Sequence, residues 1–216
     1  MLTVIRAHES EKWNEIVRSF KQYDVYYLLE YLKAFQIHGD GEPTLFYFEN
    51  EDFRAMNVTM IQDIADDERF ANELQKSKYF DMKTPYGYGG FLIEGNVTEE
   101  NLKKLDEIYT NMCNKKGIIS EFVRFHPVLN NCNAVRKMYD VQVLGKTVTI
   151  DLKNRELIWK NLTSKNRNTI RKAIKSGVEI YWGRNPELFK QFINLYYDTM
   201  DNQNARDYYY FKYEFF

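Results

Sequence analysis

A seven-residue run rich in glycine constrains the fold more than any other part of the chain. The run Thr-Pro-Tyr-Gly-Tyr-Gly-Gly occupies residues 84–90, between a strand-like stretch at 79–82 and an apolar stretch at 91–93. Glycine adopts positive φ without steric cost, and proline fixes the start of a turn. The run predicts a tight turn or a binding loop, with Tyr86 and Tyr88 as walls and backbone N–H groups that can face a ligand.

Strand patterns and amphipathic helix patterns alternate along the chain. We expect a sheet built from residues near 44–48, 54–61, 79–82, 118–125 and 141–151, and a further strand at 178–182. Thr98 is placed to cap a helix that Gly117 ends. Further helices are expected at 10–20, 24–35, 163–175 and from Asn185 onward, and a helix or loop at 63–77. This order predicts a mixed α/β fold with helices laid between strands.

Composition excludes several classes of function. The chain has 216 residues, a formal net charge of −1 and two cysteines. Because the net charge is close to zero, no global field draws the protein to DNA. The cysteines fit no metal spacing, and no apolar run approaches the ~20 residues of a membrane span. No secretory leader is visible, so we expect a cytoplasmic protein with reduced thiols and no metal site.

One helix carries an unusual density of positive charge. Residues 153–175 contain eight Lys or Arg and one Glu. On a helical wheel, Arg167 and Arg171 lie on one flank of the apolar stripe formed by Ile170 and Ile174. A pair of guanidinium groups suits a phosphate, because each can make two parallel charge-assisted hydrogen bonds. The alternative is a solvated basic face, and the residue types alone leave both open.

A second group of candidate residues follows the strand predicted at 118–125. Arg124 and His126 share one side of that strand with Phe122, at the strand end where ligand sites of α/β proteins form. The alternatives are an Arg124 paired with Glu121 or Asp81, and a His126 whose hydrogen bonds are satisfied in the core. No catalytic nucleophile or base can be named.

The last nine residues include seven aromatic side chains. Core packing is the simplest role for such residues, and stacking on a base or sugar is the alternative. Because natural termini are usually polar, this composition suggests that the chain is the N-terminal part of a longer protein. We expect residues 1–216 alone to be inactive.

Five motifs in fixed order carry a resemblance to a known family. They are Asp-Val-Tyr-Tyr at 24–27, the glycine run at 84–90, Arg-Phe-His-Pro at 124–127, Trp159 with Arg167, Arg171 and Gly177, and Tyr196 with Met200. This order resembles the FemABX-type branch of the GNAT acyltransferases, the relatives of peptidoglycan-bridge aminoacyltransferases. The resemblance covers residues 20–216.

The resemblance implies a GNAT-like mixed sheet flanked by helices at 1–145 and the start of a second GNAT-like domain at 146–216. It implies acyl transfer from aminoacyl-tRNA or acyl-CoA, as a cosubstrate and with no tightly bound cofactor, to an amine of a cell-wall precursor or nucleotide sugar. It places the enzyme in the cytoplasm, where it could act peripherally at the inner membrane face.

By position, Arg167 and Arg171 match the basic helix that helps to bind an anionic acceptor in this family, so the resemblance implies the same role for them. Tyr86, Tyr88 and Gly89 border the cleft, with Arg124 and His126 near it. The chain departs from the family because the glycine-rich turn that binds the donor is missing. The alternative function is therefore a non-catalytic module that binds anionic ligands.

Overall fold

The computed structural model describes residues 1–70 and 73–216, and the chain divides into two compact units. The first unit comprises Met1–Gln142 together with Phe211–Phe216, and the second comprises Val143–Tyr210. The predicted helix or loop at 63–77 includes residues 71–72, which lie outside the described residues. Around them the chain forms a short 3-10 turn at Ile64–Asp66 and further turns.

The described part of the first unit contains one sheet and four helices. Its strands are β1 (Leu2–Arg6), β2 (Glu42–Glu49), β3 (Phe53–Asp63), β4 (Phe80–Lys83), β5 (Leu92–Gly95) and β6 (Ile118–Phe122). Its helices are α1 (Ser10–Ser19), α2 (Leu29–His38), α3 (Glu99–Lys115) and α4 (Cys132–Val135), with a 3-10 turn at Val25–Tyr27.

The sheet is mixed, with the strand order β1-β2-β3-β4-β6 and with β5 also paired to β3. All pairs are antiparallel except β4 and β6, which are parallel and are connected through α3. A parallel pair needs a crossover connection, which explains why the long helix falls between them in the sequence.

Strand β3 pairs with two strands along the same edge. Met60 of β3 lies opposite Lys83 at the end of β4, and Met56 lies opposite Leu92 at the start of β5. Residues 57–59 therefore have no ladder partner on that edge, and the chain from 84 to 91 leaves the sheet opposite them. The glycine run thus lies within an eight-residue segment, 84–91, that connects two short strands paired to the same edge of one long strand.

The core lies on both faces of β3, which is buried along most of its length. On one face α3 presents Leu105 and Tyr109 to the sheet, and the Tyr109 ring meets Phe46 edge-on with centroids 5.3 Å apart. Trp13 of α1 and Leu32 of α2 are fully buried. Thr98 caps α3 as predicted, accepting a hydrogen bond from the N–H of Asn101 at 3.2 Å.

The second unit consists of helices and extended segments. Its helices are α5 (Arg155–Asn161), α6 (Ser164–Lys175) and α7 (Pro186–Asn202). Each helix is preceded by a capping residue whose side chain accepts a hydrogen bond from a backbone N–H group of the first turn. The capping residues are Asn154 for α5, Thr163 for α6 and Asn185 for α7. The predicted helices at 163–175 and after Asn185 are therefore confirmed. Of the helices that the structure describes, none is long and apolar enough to cross a membrane.

The strands predicted at 44–48, 54–61, 79–82 and 118–125 correspond to β2, β3, β4 and β6, although β6 ends at Phe122. The strands predicted at 141–151 and 178–182 are wrong, because neither segment pairs with a strand and, apart from the half-buried Val141, both are exposed. Alternating apolar residues favour a strand only where a neighbouring strand completes the ladder. Sequence reasoning also missed β1, which pairs with β2 over Leu2–Arg6.

The aromatic terminus packs in the first unit. Phe211 is only 7% exposed, and its ring lies 4.6 Å from that of His38 on α2. Phe215 meets Phe35 of the same helix at 5.0 Å. Phe211 therefore has the simplest role expected for these aromatic residues, which is core packing.

The carboxyl group of Glu121 connects Tyr139, which follows α4, to the sheet. Glu121 of β6 accepts hydrogen bonds from Asn57 Nδ2 at 2.8 Å, from the Tyr109 hydroxyl at 3.0 Å and from the Tyr139 hydroxyl at 3.0 Å. Removal from water raises the pKa of Glu121 above its ordinary value of 4.5, although the three donors oppose that shift. Glu121 is thus satisfied within the core.

Replacing Glu121 by Gln should remove a pH dependence of stability. Because the folded-state pKa of Glu121 is raised, the folded protein binds more protons than the unfolded chain at pH values between the ordinary pKa of 4.5 and the raised one. In that window Glu121 makes the free energy of unfolding fall with rising pH, with a slope of at most about 1.4 kcal/mol per pH unit. Urea denaturation at a series of pH values should show this slope in the wild type and in Glu107→Gln, an exposed control. An equal slope in Glu121→Gln would contradict the assignment.

Candidate functional site

The loop at 84–90 needs glycine for steric reasons. Gly87 has φ of 117°, and a Cβ there would lie 2.3 Å from the ring of Tyr26. Gly90 has φ of 86°, and a Cβ there would lie 2.8 Å from the ring of Phe125. Both positions combine a left-handed backbone with close aromatic packing, so the loop has a single compact path.

The backbone of Gly89 is used inside the fold. Its N–H donates to the carbonyl of Arg124 at 2.8 Å, and its carbonyl accepts from Asn131 Nδ2 at 2.8 Å. Gly89 also forms an isolated parallel bridge with Phe125, which continues the direction of β6. The N–H of Gly89 is therefore directed at the protein, so the general expectation that backbone N–H groups of this loop face a ligand does not hold at Gly89.

Asn131 holds the loop in place, and sequence reasoning missed it. Its buried amide nitrogen donates to the carbonyls of Gly89 and Phe91, at 2.8 and 3.1 Å, and contacts the Tyr27 hydroxyl at 3.2 Å. Its Oδ1 accepts the N–H of His126 at 2.9 Å. The sequence gives no signal for this role, because an asparagine-rich segment is typical of any loop.

Both ring nitrogens of His126 are occupied. Nδ1 accepts the backbone N–H groups of Val128 and Leu129, at 3.2 and 3.1 Å. Nδ1 therefore carries no proton, and Nε2 donates to Asp24 Oδ2 at 3.2 Å. His126 is 5% exposed and its ring nitrogens have hydrogen-bond partners within the protein. It therefore fits the alternative interpretation, a buried histidine whose hydrogen bonds are satisfied in the core. In this geometry His126 positions Asp24 and has no nitrogen free to act as a base.

A group of aromatic rings surrounds the glycine loop. Tyr26 contacts the rings of Tyr88 and His126, with centroids 5.7 and 6.0 Å apart. The Tyr31 hydroxyl donates to the carbonyl of Tyr86 at 2.6 Å, and burial raises the pKa of Tyr31 to about 12. The phenol of Tyr31 is therefore a neutral donor at physiological pH. Tyr86 is 45% exposed and presents a ring to solvent.

Arg124 lies at the surface between two aromatic side chains. Its guanidinium carbon is 5.6 Å from the ring centroid of Tyr86 and 5.8 Å from that of Phe122. Within residues 1–70 and 73–216 it forms no ion pair, with Glu121, Asp81 or any other carboxylate. The cation is thus oriented by stacking and retains donors for an anion.

The two arginines of α6 do different things. Arg167 Nη1 donates to the carbonyl of Leu162 and lies 3.4 Å from those of Trp159 and Lys160, while Nη2 reaches Ser164 Oγ at 3.2 Å. These carbonyls end α5, where a cation is favoured. Arg167 therefore joins α5 to α6 and is not an open phosphate ligand in this structure.

Arg171 is the open member of the pair. Its guanidinium carbon lies 5.3 Å from the Trp159 ring centroid, and Nη1 donates to Asn168 Oδ1 at 3.2 Å. Helix α6 contains no acidic residue, and Arg171 has no ion pair in the part of the chain that the structure describes. Arg171 and Arg124 thus share one chemistry, an exposed guanidinium group on an aromatic ring, although they belong to different units.

Comparison with known proteins gives one match. The model of the FemAB family matches residues 134–216, which include all three helices of the second unit. Neither the curated proteins nor the solved structures contain a significant match. The matched part includes Trp159, Arg167 and Arg171.

Replacing Asn131 by Ala should destabilise the first unit and loosen the glycine loop. The change leaves the carbonyls of Gly89 and Phe91 and the N–H of His126 without their partner, at a cost of roughly 1–3 kcal/mol. Urea denaturation should show the loss of stability, and hydrogen exchange should be faster at residues 84–91. Asn133→Ala, a change at an exposed position in α4 two residues further along the chain, is the control. Equal unfolding midpoints for the two variants would rule out this role of Asn131.

Proposed function

We propose that this chain, a FemAB-type relative over residues 134–216, is an acyltransferase of cell-wall synthesis. In this proposal it moves an aminoacyl or acetyl group from aminoacyl-tRNA or acyl-CoA to an amine of a cell-wall precursor or sugar. The family match is the observation that carries the proposal, since FemAB proteins act in peptidoglycan-bridge synthesis. We place the reaction in the cytoplasm, where both donors occur.

The architecture of the first unit supports a GNAT-like fold as part of this proposal. Its sheet is antiparallel apart from β4 and β6, and helices α1, α2 and α3 pack against its strands. We propose that residues 1–145 form a first GNAT-like domain and that residues 146–216 contribute to a second.

The proposed reaction does not require a covalent intermediate with the protein. The acceptor amine attacks the carbonyl carbon of the ester or thioester, so that a C–N bond forms and a C–O or C–S bond breaks. The proton lost by the amine balances the proton taken up by the leaving alcohol or thiol. Catalysis then depends on holding the two substrates together and on stabilising the oxyanion. A tightly bound cofactor is not required.

Arg171 of the second unit suits an anionic group of the acceptor, because Trp159 already orients its guanidinium group. Taken by itself, Arg124 of the first unit has the same chemistry, because Tyr86 and Phe122 orient it. The rings of Tyr86 and Tyr88 could contact a sugar or base. We assign Arg167 a positioning role, since its donors hold the carbonyls that end α5.

Replacing Arg171 by Ala should weaken binding of a nucleotide-sugar cell-wall precursor. A charged hydrogen bond contributes roughly 1.5–3 kcal/mol, so the dissociation constant should rise about tenfold or more. Raised salt should weaken binding of the wild type in the same direction. Isothermal titration calorimetry measures both effects, with Lys172→Ala on another side of α6 as the control. An unchanged affinity in Arg171→Ala would mean that this arginine is only a solvated surface residue.

The transfer reaction is tested with residues 1–216 and with any longer form that also carries a donor-binding turn, each incubated with an amine acceptor and either labelled aminoacyl-tRNA or acyl-CoA. Mass spectrometry should detect a new amide on the acceptor with a form that carries this turn and none with residues 1–216. Acceptor binding without any amide product would favour the alternative, a non-catalytic module for anionic ligands. Turnover by residues 1–216 would contradict the expectation that this chain alone is inactive.

A further inference from the structure

A carboxylate beside the glycine loop has no cationic partner. Asp24 Oδ2 accepts a hydrogen bond from His126 Nε2 at 3.2 Å, and Asp24 Oδ1 accepts the N–H of Val25 at 2.5 Å. His126 is neutral in this arrangement, because its Nδ1 accepts two backbone N–H groups. No lysine or arginine of residues 1–70 and 73–216 forms an ion pair with Asp24. Its negative charge is therefore oriented by hydrogen bonds but is not neutralised.

The carboxylate of Asp24 is accessible and lies close to aromatic rings. Its side chain is 39% exposed. The rings of Tyr26 and Tyr88 lie 6.0 and 5.4 Å from that of His126, and their centroids are 5.7 Å apart. The carboxylate and both phenol rings are thus neighbours of one buried imidazole, at a point of the first unit that solvent reaches.

The field of Asp24 acts on the neighbouring phenols. Burial raises the pKa of Tyr26, and the charge of Asp24 raises it further. The same two causes raise the pKa of Tyr27. Because a nearby cation would lower the pKa of a phenol, the contribution of Asp24 to both shifts indicates a local excess of negative charge.

We propose that Asp24, together with the rings of Tyr26 and Tyr88, binds the ammonium group of a primary amine. A carboxylate accepts a charge-assisted hydrogen bond from an ammonium group, and the faces of phenol rings attract the same cation. The rings also offer apolar contact to the carbon atoms that carry the ammonium group. The inference deepens the proposed function and rests on it only for the natural ligand, which would be the acceptor amine.

The surroundings of Asp24 favour an ammonium group over a metal ion. Calcium takes about six to eight oxygen ligands, and magnesium demands a nearly ideal octahedral set. Within the part of the chain that the structure describes, no group of three or more His, Cys, Asp or Glu side chains could hold a metal ion. One carboxylate beside aromatic rings supplies charge and apolar surface, which are the needs of an organic cation.

An NMR titration of ¹⁵N-labelled protein tests the site with two probes of equal size and different charge. They are n-pentylamine, which is protonated at neutral pH, and the uncharged 1-pentanol. Pentylammonium should shift the N–H signals of Asp24, Val25 and Tyr88, and 1-pentanol should leave them in place. Raised salt should weaken binding of pentylammonium, because ions screen its attraction to an accessible carboxylate.

Variants separate the roles of the carboxylate and the rings. Asp24→Asn should raise the dissociation constant of pentylammonium about tenfold or more, because the hydrogen bond loses its charged acceptor. Glu107→Gln, which removes an exposed carboxylate of α3, is the matched control. Since Asp24→Asn also alters the partner of His126, a second pair tests the rings. Tyr88→Leu should weaken binding roughly threefold by removing the π face, whereas Tyr88→Phe retains it. The ¹⁵N spectra establish that each variant remains folded.

Three outcomes would overturn the proposal: equal shifts with 1-pentanol, no shifts with pentylammonium, and an affinity that Asp24→Asn leaves unchanged. Shifts of the same signals by calcium at a lower concentration would assign the site to an inorganic cation instead. Failure of the proposed acyl transfer is distinguishable from all of these, because it would remove the amide product and leave binding of pentylammonium intact.

Discussion

The site in the first unit depends on the unequal lengths of β3 and its partners. Strand β3 has 11 residues, whereas β4 and β5 have four each and share one edge of it. The chain between them must leave the sheet opposite residues 57–59 and return within eight residues. That detour is feasible only with residues that accept positive φ and close packing, such as Gly87 and Gly90. The glycine loop is thus a consequence of strand pairing.

The polar side chains beside this gap complete the arrangement. Thr59 Oγ1 donates to the carbonyl of Lys83 at 2.8 Å, and Asn57 donates to Glu121 across the core. On the loop side, Asn131 satisfies two carbonyls of the chain that leaves the sheet. Because a buried backbone carbonyl without a partner is costly, these side chains decide whether the loop has one conformation or many.

The sequence allowed good prediction where the signal is local. The cap at Thr98, the start at Asn185 and the alternation within β2 each depend on residues close together in the chain. The strands predicted at 141–151 and 178–182 failed because alternation indicates which face a strand would bury, and cannot supply its partner. The role of Asn131 could not be predicted, because its hydrogen-bond partners, the carbonyls of Gly89 and Phe91, lie about 40 residues away in the chain. The flank shared by Arg167 and Arg171 followed from helical geometry, but the carbonyls that occupy Arg167 did not.

Net charge describes this protein poorly, and the reason is spatial. A formal charge of −1 over 216 residues conceals a segment of 23 residues with eight cations and one anion. At physiological salt the Debye length is about 8 Å, so carboxylates elsewhere on the protein do little to cancel the field at that surface. A ligand near α6 therefore meets a strongly positive surface, whatever the total charge. Within that surface Arg167 serves the fold and Arg171 remains open, which means that local charge indicates a binding surface while hydrogen bonds decide which cation is available to a ligand.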